Sequence, residues 1–194
     1  MKIVKILSLV ALTSLSIASI GAMNNPNDPN NPNNQKLLEA AKSGDTKAAM
    51  EALNAGANIN IIDKRISPLI RAVLMNKLDM VKFLVQNGAN IDFYAGALDG
   101  MTPLHHAAAF GRLPIVKFLV ASDAQLNVPD NDGETPLHAA AKFGKLDVVK
   151  FLVEKKANLN ARDKEGNTPL ELAKNRKRDP VVSYLSEQMK IEEE

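Results

Sequence analysis

Cysteine and tryptophan are both missing from the 194 residues. Without thiols there is no disulfide, no thiolate metal site, no thiol nucleophile and no lipid-modified cysteine, so the fold must be held by packing. An excess of one charge is missing too. The formal net charge is +2, and Lys2 and Lys5 lie in a leader described below; without them the basic side chains equal the 22 acidic ones. A phosphate-reading surface draws most of its affinity from clustered Lys and Arg. No nucleic-acid partner is therefore expected, and the basic run Lys174 to Arg178 reads as a solvated helix end. Also absent are a glycine-rich phosphate loop, a serine nucleophile elbow and the ordered oxygen ligands of a calcium loop. No cofactor and no metal are expected.

What is present begins with an address. Lys2 and Lys5 precede an apolar run from Ile6 to Ile20, and the small residues Gly21 and Ala22 follow. This is the pattern of a secretory signal peptide, and the run is shorter than the about 20 residues that span a bilayer. Residues 1–22 are thus expected to be removed on export to the periplasm or the exterior, leaving no stable membrane insertion. The next stretch, 23–34, is rich in Asn and Pro and has almost nothing apolar to bury, so a disordered linker is expected there.

From residue 35 the chain repeats itself. Ser67-Pro68-Leu69, Thr102-Pro103-Leu104, Thr135-Pro136-Leu137 and Thr168-Pro169-Leu170 recur in register, and so do the segments ending at Val85, Val120 and Val153. Asn60, Asp92, Asn127 and Asn160 mark a third position of the same period. Within a unit, Ser or Thr suits a helix N-cap, Pro the first helical position and Leu the start of a buried face. Gly44, Gly111 and Gly144 suit the left-handed turn after that helix. A second helix with a broad apolar face follows, in which Phe151 is expected to bury between units. Asp130-Asn131-Asp132-Gly133 then forms a tight turn.

The segments Thr102-Pro103-Leu104-His105-His106-Ala107-Ala108 and Thr135-Pro136-Leu137-His138-Ala139-Ala140-Ala141, repeated in phase over about 160 residues, closely resemble the ankyrin repeat. The resemblance implies an all-α solenoid of five stacked helix-turn-helix units joined by short hairpin-like fingers, over residues 35–194. The approximate units are 34–64, 65–97, 98–130, 131–163 and 164–194, the first and last being polar caps. Three departures, Asn76, Asp123 and Lys156 in place of glycine, lead us to expect local distortion.

The resemblance also implies that the chain is no enzyme but a module, expected to be monomeric, that holds a protein partner on its concave face. His105 and His138 recur at one repeat position, where a structural hydrogen bond is expected; His106 shares no helix face with His105 on which two ligands could meet. The partner-binding residues are expected to be Met75, Phe110 and Phe143 along the first helices, with Lys142 beside them. The fingers add Tyr94, Leu98, Asp99, Met101, Asn131, Asp132 and Glu134. Tyr94 and Leu98 lie in a finger two residues longer than its siblings. Two roles compatible with this reading are a periplasmic protective or accessory factor for an enzyme, and a secreted effector that binds a host protein.

Overall fold

A computed structural model describes residues 25–93 and 99–193. Ten helices are present among these: α1 (Pro32–Ser43), α2 (Thr46–Asn54), α3 (Pro68–Leu74), α4 (Leu78–Gln86), α5 (Pro103–Ala109), α6 (Leu113–Ala121), α7 (Pro136–Lys142), α8 (Leu146–Glu154), α9 (Pro169–Asn175) and α10 (Asp179–Glu193). The odd-numbered helices stack on one another as an inner row, the even-numbered ones as an outer row, and each odd helix packs on the even helix that follows it. This is the solenoid of five units that the repeats imply.

The inner helices start where the sequence says they should. Ser67, Thr102, Thr135 and Thr168 are N-caps whose hydroxyls accept the N–H three residues on, and each is followed by Pro at the start of its helix. A cap of this kind satisfies one of the N–H groups that a helix start leaves orphaned, and contributes about 1 kcal/mol. The inner row closes tightly because alanines face it: Ala72, Ala107, Ala108, Ala140, Ala141 and Ala173 are fully buried. In the outer row Val81, Val116 and Val149, with Leu84, Leu119 and Leu152, are likewise shut off from water.

A row of polar side chains runs through the stack. The side-chain oxygen of Asn60 accepts the N–H of Asn90 (2.9 Å), that of Asp92 the N–H of Gln125 (3.1 Å), and that of Asn127 the N–H of Asn158 (2.9 Å). The recurring residue is thus an inter-repeat fastener, since each one occupies a backbone donor of the following unit. Fingers are joined as well, the Asn131 N–H donating to the Asp99 carbonyl (2.8 Å) and the Lys164 N–H to that of Asp132 (2.9 Å).

Three expectations need correction. Residues 25–34 are not a disordered linker. Turns at 25–31 lead into α1, which begins at Pro32 inside the expected linker. Asn31 and Asn34 are buried, and Asn34 is fully satisfied: its amide donates to the carbonyls of Pro26 (2.9 Å) and Asp28 (2.8 Å) and accepts from the Asn58 N–H (2.8 Å). Asparagine amides can satisfy a helix end without any apolar burial, which composition alone does not reveal. The residues in place of glycine do not distort the chain either, because Asn76 (φ 56°), Asp123 (φ 65°) and Lys156 (φ 65°) adopt the left-handed conformation themselves. Finally, Phe151 is only half-buried. It lies in the seam between α6 and α8, with Lys155 Nζ 5.6 Å and Lys117 Nζ 5.8 Å from the ring centre, because outer helices present their Phe position obliquely to solvent.

Candidate functional site

The inner helices are each seven residues long from α3 to α9, so the residue that closes each one falls at the same height in the stack. Met75, Phe110 and Phe143 are those residues in α3, α5 and α7. They are 46%, 52% and 49% exposed, three of the few large apolar side chains that reach water among the described residues. Helix burial does not require them there, since the buried face of each helix is already made of Leu and Ala. Ser43 and Arg176 end the row at either side of the stack.

Toward the fingers the surface turns polar. A cleft of about 260 Å³ is lined by Asp132, Glu134, Lys142, Asp163, Lys164, Glu165, Leu172 and Arg176. The structure thereby brings together Asp132, Glu134 and Lys142 as anticipated. It adds the next finger, Asp163 to Glu165, and the basic Arg176. The finger was overlooked because the fifth unit reads as a cap, although it carries the same Asp as the fourth, and Arg176 because its basic run reads as a solvated helix end. Glu134 and Lys142 form a half-buried ion pair (2.6 Å). Their partners in the second unit are not at matching positions: there Arg71 meets Asp63 at 3.3 Å.

The remaining anticipated residues are placed less simply. Asp99 is exposed and Met101 half-buried just ahead of the Thr102 cap. Asn131 is exposed, yet its backbone holds the neighbouring finger at Asp99, so it is as much a fastener as a contact. Tyr94 and Leu98 lie outside the described residues. Ile62, 37% exposed in the first finger, escaped notice because later fingers have Pro129 and Arg162 in its place.

His105 and His138 make the structural bonds expected of them. Nδ1 of His105 accepts the Thr102 N–H (3.1 Å) and its Nε2 reaches the Glu134 carbonyl at 3.0 Å; His138 repeats this with Thr135 (3.1 Å) and Asn167 (3.0 Å). Each ring thus caps its own helix and ties it to the next finger, with the proton on Nε2. Burial pushes His105 down to about 4 and lowers His138, outweighing the hydrogen bonds to Glu134 and Asn167. His106 is also lowered by burial, against the opposing field of Asp99. The His105 and His138 rings are neutral and occupied at neutral pH, without a free nitrogen to offer a substrate. Among the described residues no three His, Asp or Glu side chains converge as a metal site would need.

Two family profiles match the sequence: ankyrin repeats in three copies over residues 37–130, and ankyrin repeats in many copies over 121–173. No individual curated protein is similar enough to count as a match. Between them the profiles span the inner helices α3, α5 and α7 and reach into α9, the same stack that carries the exposed row and the cleft. The chain belongs to the ankyrin-repeat family, whose members are protein–protein interaction modules.

Proposed function

We propose that this chain is exported and binds one protein partner, as a monomer, through the face formed by its inner helices and fingers. The observation that carries this reading is the row Met75, Phe110 and Phe143. It exposes three large apolar groups at one height in consecutive units, and interfaces concentrate their energy in such anchors when a polar rim surrounds them. The cleft beside them supplies that rim. Export is supported by the leader, with its two lysines, 15-residue apolar run and small residues at 21 and 22. Among the described residues no helix is long and apolar enough to cross a membrane.

The test is a pull-down with the full chain and a Phe110→Ala, Phe143→Ala variant whose helix content is verified by circular dichroism. A protein retained by the wild type and lost by the variant is the expected result. A partner held equally by both would move the site off this face. Fractionation of the producing cell, with mass determination of the mature N-terminus, tests export: a chain still carrying residues 1–22 in the cytoplasm would refute it.

A further inference from the structure

Two residues beyond each apolar anchor stands a base: Lys77 after Met75, Arg112 after Phe110 and Lys145 after Phe143, with Arg178 two beyond Arg176. These four occur at one position in consecutive units. None is in an ion pair among the described residues. Fixed glycine turns hold three of them. A Cβ on Gly44 would lie 3.0 Å from Lys77 Cδ, one on Gly111 2.9 Å from Lys145 Cδ, and one on Gly144 2.9 Å from Arg178 Cδ. Each of these three aliphatic stems is thus laid across the glycine of the preceding unit, while Arg112 follows a unit with Asn76 in that place, and Arg178 Nε also donates to the Lys142 carbonyl at 3.1 Å. The Nε of Arg112 is buried with no hydrogen-bond partner.

Helix physics does not account for this row. Lys77, Arg112 and Lys145 are the N-cap residues of α4, α6 and α8, and none makes a side-chain capping bond. A cation there opposes the positive end of the helix dipole, where an acidic or hydroxyl cap is favoured. The first unit shows the alternative: Asp45 at the same place accepts the Ala48 N–H at 2.9 Å. Three units forgo that cap. The fingers carry Asp99, Asp132, Asp163 and Glu165 interspersed with Lys164, so the surface runs from mixed-charge fingers through apolar anchors to a rail of one sign.

From this arrangement we infer that the partner presents an amphipathic α-helix along the stack, its apolar stripe on Met75, Phe110 and Phe143 and an acidic edge on the Lys77, Arg112, Lys145 and Arg178 rail. Packed helices stand about 8–10 Å apart, which sets the spacing of the anchors. Seven residues of α-helix advance about 10.5 Å and return to the same face, matching that spacing. An extended strand returns to one face every two residues, about 6.7 Å, and falls out of register with the anchors. Four rungs of rail correspond to a helix of roughly 20 residues.

The inference rests on the concave-face reading, and its test separates the two. Two synthetic amphipathic peptides of about 22 residues share a leucine stripe at heptad spacing; one carries Glu along one edge, the other Lys at those positions. Fluorescence anisotropy against the full chain should show the Glu peptide binding at least about tenfold tighter, with affinity falling as salt rises. Replacing the rail by caps, in Lys77→Asp, Arg112→Asp, Lys145→Asp, should remove that preference while leaving thermal stability equal or higher. Lys145→Asp alone should weaken the Glu peptide in the same direction should the triple variant misfold. Equal binding of the two peptides, or a preference unchanged in the rail variants, overturns the inference. So does capture of phosphatidylglycerol vesicles that the rail variants abolish while neither peptide binds, which would assign the row to a membrane surface. If neither peptide binds but a pulled-down protein is still lost on Phe110→Ala, Phe143→Ala, the helical partner is refuted and the concave-face site stands.

Discussion

Replacing Asn34 by alanine is expected to unfasten the first repeat without unfolding the rest. The side chain is fully buried and makes three hydrogen bonds, two to the Pro26 and Asp28 carbonyls and one from the Asn58 N–H. At about 1 kcal/mol net for each, the loss is at most about 3 kcal/mol, and nearer about 2 kcal/mol if the two turn carbonyls rotate to water. A stack with nearest-neighbour contacts opens from its ends, so the cost falls on α1 and α2 first. Hydrogen exchange reads this directly. The Asn58 amide and the last amides of α1 should exchange about 30- to 150-fold faster, as 2 to 3 kcal/mol dictates, while those of α7 stay unchanged. Asn33→Ala is the control, since its side chain meets only the Ala55 carbonyl at an exposed site (2.6 Å) and should cost under about 0.5 kcal/mol. Exchange at Asn58 within about threefold of wild type would refute the claim that the Asn-rich segment is the N-terminal cap.

Acid should loosen the stack well before the carboxylates titrate. His105 is held neutral with a folded-state value of about 4 against an ordinary 6.5, and His138 is shifted the same way. The stability they contribute is complete above pH 6.5 and falls as pH drops toward 4, because the unfolded chain gains protons that the folded one does not; for His105 this amounts to about 3 kcal/mol. Urea midpoints at pH 7 and pH 4.5 check it, and equal midpoints would exclude it. Lys156→Gly should raise stability by about 1 kcal/mol, since Lys156 sits at φ 65° where Gly56 and Gly88 sit at φ 90° in sister units; a lower melting temperature would count against it. Phe151→Ala should cost about 2 kcal/mol and Leu152→Ala about 3 kcal/mol, since the first ring is half-buried and the second side chain fully buried. Chemical denaturation that ranked them in the opposite order would overturn the placement of Phe151.

The repeat architecture was legible because its signals are redundant. A Thr-Pro-Leu start, a left-handed turn and an apolar second helix recur in phase, so an error in one unit is corrected by the next. Asn76 and Lys156 illustrate the limit: the residue type argued for strain, but the packed neighbours on both sides impose the same backbone on any side chain. The cap at 25–34 was illegible for a different reason. Its stability comes from amide hydrogen bonds to particular carbonyls, which have no periodicity and resemble the composition of a linker. In the site, the height of Met75, Phe110 and Phe143 could be counted along the sequence. The closeness of Arg176 to Lys142 and Glu134 could not, as it depends on how far one unit is rotated on the next.

The Asn60, Asp92 and Asn127 bonds all run one way, a side chain in one unit accepting from the backbone of the next. The stack is therefore a polar object, like a filament with unlike ends. At its start the corresponding donor, the Asn58 N–H, is already taken by Asn34, whose amide also holds the lid of turns. At the other end Asn160, in the fourth unit, stands at the same acceptor position, but the fifth unit runs on as α10 (Asp179–Glu193) where its predecessors turn to present a backbone donor. The ladder of side-chain acceptors thus stops at the fourth unit, and the fifth is tied on by other bonds, among them that of His138 Nε2 to the Asn167 carbonyl.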